Sequence, residues 1–182
     1  MAFRPKYITF DCYGTLTNFD MAGASRALYS HLFSAEQMDR FIAAFSAYRR
    51  DEILGAWKPY ADVVSQSLER TCKKIGIPYE QASADEIYRR VPTWGPHPDV
   101  PAGLAKVAKE IPLVILSNTM NELIPHNVEK LGAPFVHVFS AEDAGAYKPR
   151  FRAFEFMLDH LGCGPEDCLH VSSSFRIQDG RA

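Results

Sequence analysis

Polar side chains with catalytic potential stand at the ends of short apolar runs or in the loop that follows one of them. They are Asp11, Thr15, Ser117, Asn118, Lys148 and the three serines at 172–174. A carboxylate beside an ammonium, surrounded by hydroxyl and amide donors, can act as a nucleophile whose charge is balanced. Asp11 and Lys148 are the charged members of this set. Their types predict nucleophilic chemistry at Asp11, provided that the fold brings them together.

Four short runs of apolar, β-branched and aromatic residues have the composition of buried strands. The runs span residues 7–10, 113–116, 136–139 and 168–171. Helical apolar patterns lie before the second run and between the later ones, and two of them end at Gly132 and Gly162. Strands that alternate with helices predict an α/β fold with a parallel sheet. The carboxyl ends of parallel strands share one sheet edge, so we expect the polar side chains to meet there.

The stretch from residue 18 to residue 96 lacks any convincing strand and keeps helical apolar stripes instead. Met38, Phe41 and Phe45 belong to one stripe, and a second stripe ends at Gly76. A segment rich in turn-forming residues, 92–98, then returns the chain to the core. The sequence therefore predicts a Rossmann-like core of residues 1–17 and 97–182. A helical cap, residues 18–96, is inserted after the first strand as a lid over the ligand-binding edge.

The composition excludes several classes of protein. The 182 residues carry 20 Lys and Arg against 22 Asp and Glu, a net charge of −2, which offers no basic surplus for nucleic acid. No apolar run approaches the length of a membrane span, and the amino terminus lacks the apolar stretch of a signal peptide. The four cysteines form no CxxC pair. We therefore expect a cytoplasmic protein without nucleic-acid or membrane partners.

Four segments resemble the sequence motifs of the haloacid dehalogenase superfamily. They are FDCYGTL at 10–16, LSN at 116–118, YKP at 147–149 and VSSS at 171–174. The first of these motifs is highly specific for the superfamily, whereas the last matches the family pattern only in part. The resemblance spans nearly the whole chain and implies the fold of that superfamily, a Rossmann-like core with an inserted helical cap.

The residue two positions after the nucleophile separates the branches of this superfamily. Phosphatases carry Asp there as a general acid for an alkoxide leaving group, and they use Mg²⁺ held in part by acids of the fourth motif. This chain has Tyr13 at that position and serines at the start of its fourth motif. A halide is a weak base and leaves without a proton. The resemblance therefore implies a 2-haloacid dehalogenase that acts on a small molecule with no metal and no cofactor.

The resemblance also implies a role for each residue around the nucleophile. Asp11 attacks the halogen-bearing carbon of a short 2-haloacid, and water then hydrolyses the ester to a 2-hydroxyacid. Lys148 stabilises the Asp11 carboxylate, and the hydroxyl of Thr15 helps to orient it. Serine hydroxyls of the fourth motif help to orient it as well, and Ser173 and Ser174 are also expected to bind the substrate or the halide.

A second group of residues is expected to bind the substrate or the departing halide. Ser117 holds the substrate carboxylate, and Asn118 receives the halide together with Arg49 of the cap. Arg49 has an alternative interpretation, as part of a solvated helix face. Tyr13 either contacts the substrate or packs, and Asp179 is the best candidate for the acid of the fourth motif.

The sequence is also compatible with two other functions. A phosphatase of the same superfamily would depend on Mg²⁺, and Tyr13 speaks against it. A catalytically silent relative, acting as a binding or regulatory protein, would fit the incomplete fourth motif and Phe154, which stands where dehalogenases commonly place Tyr. The chain ends at Ala182, soon after the fourth motif, so the resemblance predicts a C-terminally shortened core of lower stability. A homodimer through the cap is a further expectation from the resemblance.

Overall fold

Four parallel strands form the sheet in the computed structural model, which describes residues 3–173. The strands are β1 (Tyr7–Phe10), β2 (Leu113–Ser117), β3 (Phe135–Ser140) and β4 (Cys168–Val171). Their order in the sheet is β3-β2-β1-β4, so β1 lies between β2 and β4. Phe10 pairs with Ile115 of β2 and with Val171 of β4. Residues that directly follow β1, β2 and β4 consequently lie side by side at one edge of the sheet.

Eight α-helices occur among the residues that the structure describes. They are α1 (Met21–Tyr29), α2 (Ala35–Leu54), α3 (Tyr60–Ile75), α4 (Gln81–Arg90), α5 (Val100–Val107), α6 (Ile124–Leu131), α7 (Ala141–Ala144) and α8 (Phe151–Leu161). Glycines in the left-handed conformation end α3, α6 and α8, at the positions that the sequence predicts for Gly76, Gly132 and Gly162. None of the helices within residues 3–173 combines the length and the apolar character that crossing a bilayer requires.

The sheet is covered by helices on both of its faces. On one face, Ile8, Phe10 and Ile115 pack with apolar side chains of α5 and α6. On the other face, Val114 and Leu116 pack with apolar side chains of α8. Burial on both faces explains why the central strands β1 and β2 are largely apolar runs rather than alternating ones. The architecture confirms the predicted α/β fold with a parallel sheet.

Residues 20–93 form a compact unit of their own, the helical unit, which contains α1–α4. Its longest helix, α2, begins with a capping box in which Ser34 and Gln37 each accept the backbone N–H of the other. Phe41 and Leu68 are fully buried in this unit. The remaining described residues, 3–19 and 94–173, form the core unit that contains the sheet.

Candidate active site

Asp11 directly follows β1, and the backbone on both sides of it is fixed. Its N–H donates to the carbonyl of Val171 at 3.0 Å, which continues the pairing of β1 with β4 by one residue. The carbonyl of Cys12 then accepts the N–H groups of Leu16 and Thr17 at 2.8 and 2.9 Å, which closes a tight turn. The Asp11 side chain is 13% exposed. A carboxylate is therefore held at the sheet edge with little access to water.

Lys148 is the counter-ion of Asp11. Its Nζ donates to Asp11 Oδ1 at 2.9 Å and to the carbonyl oxygen of Leu116 at 2.5 Å. The side chain is 2% exposed, so the ammonium is almost completely removed from water. Removing two charges from water is costly unless good geometry and further hydrogen bonds compensate them. Here the two acceptors supply that compensation, and they fix Nζ beside one oxygen of the carboxylate.

Asn118 holds the backbone of Lys148 in place. Its Nδ2 donates to the carbonyl of Lys148 at 2.9 Å, and its Oδ1 accepts the N–H of Lys148 at 2.7 Å. The side-chain carbonyl and one N–H of the amide are thereby committed to the loop that carries the lysine. The sequence predicts halide binding for Asn118, and the structure instead gives it contacts that position Lys148. Halide binding through its second N–H stays a prediction.

Thr15 binds the other oxygen of the nucleophile. Its hydroxyl donates to Asp11 Oδ2 at 3.0 Å and accepts the backbone N–H of Ser173 at 2.9 Å. The Ser173 hydroxyl donates to the carbonyl of Gly14 at 2.9 Å. The segment after β4 is thus tied to the turn after β1, and both carboxylate oxygens of Asp11 have a defined donor. The structure places Thr15 and Ser173 beside Asp11, and binding of substrate or halide by Ser173 stays a prediction.

Ser117 ends β2 next to the carbonyl that binds Lys148. The residue is 1% exposed, and its Oγ has no hydrogen-bond partner among the described residues. A buried hydroxyl without a partner is unusual, because desolvation is then uncompensated by about 1–3 kcal/mol. A ligand with an acceptor at this position would remove that penalty. Ser117 is therefore suited to hold a polar group of a substrate.

Tyr13 uses its hydroxyl for contacts within the protein. The hydroxyl donates to Asn127 Oδ1 at 2.7 Å, and Asn127 in turn donates to the carbonyl of Trp94 at 3.0 Å. The Tyr13 ring lies against Phe19 and Trp94, with centroid distances of 6.0 and 6.3 Å. The packing interpretation of Tyr13 accounts for these contacts. A contact with substrate stays a prediction.

Arg49 belongs to the helical unit and lies on the buried side of α2. It is 8% exposed, with its guanidinium 5.2 Å from the centre of the Phe45 ring and in contact with Tyr60. Burial raises the pKa of the Tyr60 hydroxyl, and the positive charge of Arg49 opposes that rise. The interpretation of Arg49 as part of a solvated helix face is therefore wrong, although the neighbouring Arg50 is exposed. Halide binding by Arg49 stays a prediction.

Two predicted site residues, Ser174 and Asp179, lie outside the described residues. Within residues 3–173, no group of three or more His, Cys, Asp or Glu side chains is arranged to hold a metal ion.

Two further titratable groups adjoin the nucleophile. Cys12 is fully buried, and burial raises the pKa of its thiol to about 12, so it carries no thiolate at neutral pH. His170 contacts Thr9 through Nδ1 at 2.8 Å, while its buried Nε2 has no partner among the described residues. Burial, and secondarily the charge of Lys148, lowers the pKa of His170 to about 4. His170 is therefore a neutral, packed side chain at pH 7.

Sequence reasoning missed two contributors to the site. The carbonyl of Leu116 binds Lys148, and a main-chain oxygen leaves no signal in residue types. Asn127 binds Tyr13 from the middle of α6, where a polar residue on an apolar helix face was the available signal.

The sequence of residues 5–176 matches the family of haloacid dehalogenase-like hydrolases. The chain belongs to this family. This finding confirms the resemblance of the four motifs to the haloacid dehalogenase superfamily.

Three dehalogenases are among the proteins to which this haloacid dehalogenase-like hydrolase is similar. It is 23% identical over 180 residues to (S)-2-haloacid dehalogenase H-109 of Pseudomonas putida, covering 92% of this chain and 76% of that protein. It is 26% identical over 176 residues to (S)-2-haloacid dehalogenase 4A of Burkholderia cepacia, covering 91% and 73%. The L-2-haloacid dehalogenase of Xanthobacter autotrophicus with chloropropionic acid covalently bound shares the fold, with a TM-score of 0.76, 24% identity and coverage of 93% and 70%.

Proposed function

We propose that this hydrolase cleaves the carbon–halogen bond of short (S)-2-haloacids. The observation that carries the proposal is the buried ion pair of Asp11 and Lys148, in which both carboxylate oxygens have a fixed donor. The names of the similar dehalogenases supply the substrate class. The partnerless hydroxyl of Ser117 is suited to the substrate carboxylate.

The first step is a displacement at the carbon that carries the halogen. An oxygen of Asp11 forms a bond to this carbon, and the carbon–halogen bond breaks with its electron pair leaving on the halide. Lys148 and Thr15 hold the carboxylate, so the attacking oxygen needs no reorganisation. The configuration at carbon inverts, and the product of this step is an ester of Asp11.

The second step is hydrolysis of that ester. Water attacks the carboxyl carbon of Asp11, and the bond from this carbon to the ester oxygen, which came from Asp11 in the first step, breaks. This leaving oxygen takes one proton of the attacking water and becomes the hydroxyl group of an (R)-2-hydroxyacid, while the second proton of the water is released and Asp11 returns to its carboxylate form. Lys148 lies beside the carboxyl group, where its charge stabilises the oxyanion that forms during the attack.

The surroundings of Tyr13 favour this reaction over phosphate ester hydrolysis. An alkoxide leaving group needs a proton, and a halide does not. The Tyr13 hydroxyl stands two residues beyond the nucleophile and donates to Asn127 instead of standing ready as an acid. We therefore expect phosphatase activity to be absent.

The test is halide release from each enantiomer of 2-chloropropionate, measured without added Mg²⁺. We expect release from the (S) enantiomer with formation of (R)-lactate. The Asp11→Asn variant should release none, whereas Asp159→Asn, at an exposed position of α8, should match the unmodified protein. Folded protein that releases no halide from either enantiomer would contradict the proposal. Hydrolysis of p-nitrophenyl phosphate that requires Mg²⁺ and Asp11 would favour the phosphatase.

A further inference from the structure

Two cysteines flank the short connection between α8 and β4. Cys163 follows Gly162 at the end of α8, and Cys168 is the first residue of β4. Their sulfur atoms are 3.7 Å apart, and both residues are half-buried. The other two cysteines of the chain, Cys12 and Cys72, are fully buried.

The connection that joins the two cysteines is fixed by hydrogen bonds at both ends. The N–H of Cys163 donates to the carbonyl of Leu158 at 3.2 Å. The carboxylate of Asp167 accepts the N–H of Gly164 at 3.2 Å and the ammonium of Lys6 at 3.0 Å. These contacts hold the two thiols close together, and at 3.7 Å one sulfur donates a hydrogen bond to the other.

We propose that Cys163 and Cys168 form a redox-active dithiol that closes to an intramolecular disulfide when the protein meets a peroxide. A disulfide bond joins two sulfur atoms that are about 2 Å apart. The two sulfur atoms, which are 3.7 Å apart in the reduced protein, must therefore move closer together before the bond can form. Rotation of the two side chains supplies this approach. The backbone hydrogen bonds of the connection are compatible with it.

The chemistry proceeds in two balanced steps. The Cys163 thiolate attacks an oxygen of the peroxide, the oxygen–oxygen bond breaks, and a sulfenic acid and hydroxide form. The Cys168 thiol then attacks the sulfenic sulfur and displaces hydroxide, which takes the thiol proton and leaves as water. The hydroxide of the first step takes the proton that Cys163 gave up on forming its thiolate. Two thiols are thereby oxidised by two electrons, and hydrogen peroxide is reduced to two waters. Burial and the neighbouring Cys163 raise the pKa of Cys168 to about 12, so Cys168 enters the second step as a thiol.

The disulfide would restrain the start of β4. Cys168 pairs with Tyr7 of β1, and the opposite end of the strand leads to Ser173, which binds the turn after Asp11. Closing this short loop lowers the entropy of the unfolded chain, and we expect the thermal midpoint to rise by about 5 °C. The bond lies at the end of the strand away from Asp11 and leaves the Asp11–Lys148 pair unchanged.

The test uses the full chain treated with hydrogen peroxide, alkylated with N-ethylmaleimide and digested with trypsin. One tryptic peptide, 153–176, contains both cysteines. We expect this peptide to lose two hydrogens, to take up no reagent and to revert with dithiothreitol. Cys163→Ser and Cys168→Ser should each abolish the cross-link, and Cys72→Ala should retain it.

Three results would overturn the proposal. The first is a peptide that still takes up two molecules of reagent after the treatment. The second is a gain of oxygen atoms without loss of the two hydrogens. The third is a cross-link between two chains. Each of them can be read from the masses of the unmodified protein's peptides, so the result does not depend on the folding of the variants.

Discussion

The ion pair of Asp11 and Lys148 depends on groups that are not themselves reactive. The ammonium of Lys148 is held by a main-chain carbonyl, and the backbone of Lys148 is held by the amide of Asn118. Thr15 provides the second donor to Asp11. Every group that touches the carboxylate thus has a second contact that fixes its position, which favours a nucleophile of single orientation.

Replacing Lys148 by Met should reduce halide release and stability together. The carboxylate of Asp11 loses its counter-ion in a nearly dry site, and the Leu116 carbonyl loses a donor. We expect kcat to fall by about 100-fold and the free energy of unfolding by about 3 kcal/mol. Halide release and urea unfolding measure the two effects. Lys109→Met, at an exposed position, is the matched control, and an unchanged kcat in folded Lys148→Met would refute the role of Lys148.

Replacing Asn118 by Ala separates positioning of Lys148 from binding of the departing halide. If the amide acts by holding the Lys148 backbone, kcat should fall by about tenfold for 2-chloropropionate and 2-bromopropionate alike, and KM should change little. If the amide binds the departing halide, the loss of kcat should differ between the two substrates. The steady-state kinetics of halide release distinguish these outcomes. Asn121→Ala removes a comparable amide at an exposed position and should leave both constants unchanged.

His170 should make the stability of the protein sensitive to mild acid. Burial lowers the pKa of His170 to about 4, against 6.5 for an unperturbed histidine. Between these values the unfolded chain binds a proton that the folded protein does not, so stability is complete above pH 6.5 and is lost as the pH falls towards 4. The loss from this group reaches about 3 kcal/mol at most.

Urea unfolding at pH 7 and pH 5 measures this dependence. His170→Gln should lose less stability than the unmodified protein over this interval, and His126→Gln, at an exposed position of α6, should behave like the unmodified protein. Equal losses in the His170→Gln variant and the unmodified protein would show that His170 does not contribute.

Residue types alone located the charged pair but not the way it is held. Asp11 and Lys148 were predictable because the carboxylate stands at the end of a predicted strand and the ammonium in the loop after another. The second acceptor of Lys148 is a main-chain carbonyl, which no residue type reveals. The contacts of Asn118 are with a loop 30 residues further along the chain, and only the fold brings residues so far apart in the sequence together.

At the scale of elements, the turn after β1 and the segment after β4 act as one support for the site. Gly14 has φ +86°, and its carbonyl accepts the Ser173 hydroxyl. This left-handed conformation disfavours every residue with a Cβ by about 1 kcal/mol. The central strands β1 and β2 were predictable because burial on both faces of the sheet gives short, largely apolar runs. The hydrogen bonds between the turn after β1 and the segment after β4 were not predictable, because they join residues that are distant in the sequence.

Gly14→Ala and Gly132→Ala form a matched pair that tests this support. Gly132 has φ +63° at the end of α6, and a Cβ there would meet no atom within 4 Å. Both variants should lose about 1 kcal/mol of stability because both strain the backbone. Only Gly14→Ala should also lose activity, since its turn carries Thr15 beside Asp11. Equal activity of the two variants would contradict the role of the turn.

At the scale of the whole molecule, the contacts around Asp11 all arise within the core unit, although their residues come from distant parts of the chain. β1, the end of β2, the loop before α8 and the segment after β4 each supply one part. A parallel sheet produces this convergence, because its strands end at a common edge. The helical unit was predictable from its apolar stripes, whereas the burial of Arg49 was not. A charged residue beside Arg50, Asp51 and Glu52 has the sequence signature of an exposed helix face.

In the proposed reaction Asp11 forms an ester, and water attacks this ester at the carboxyl carbon. A single turnover in H₂¹⁸O, with enzyme in excess over (S)-2-chloropropionate, tests it directly. The mass of the peptide that contains Asp11 should rise by one ¹⁸O-for-¹⁶O exchange, and the hydroxyl group of the lactate should contain ¹⁶O. Lactate that carries ¹⁸O in its hydroxyl group, with an unlabelled Asp11, would show that water attacks the substrate itself and would contradict the mechanism.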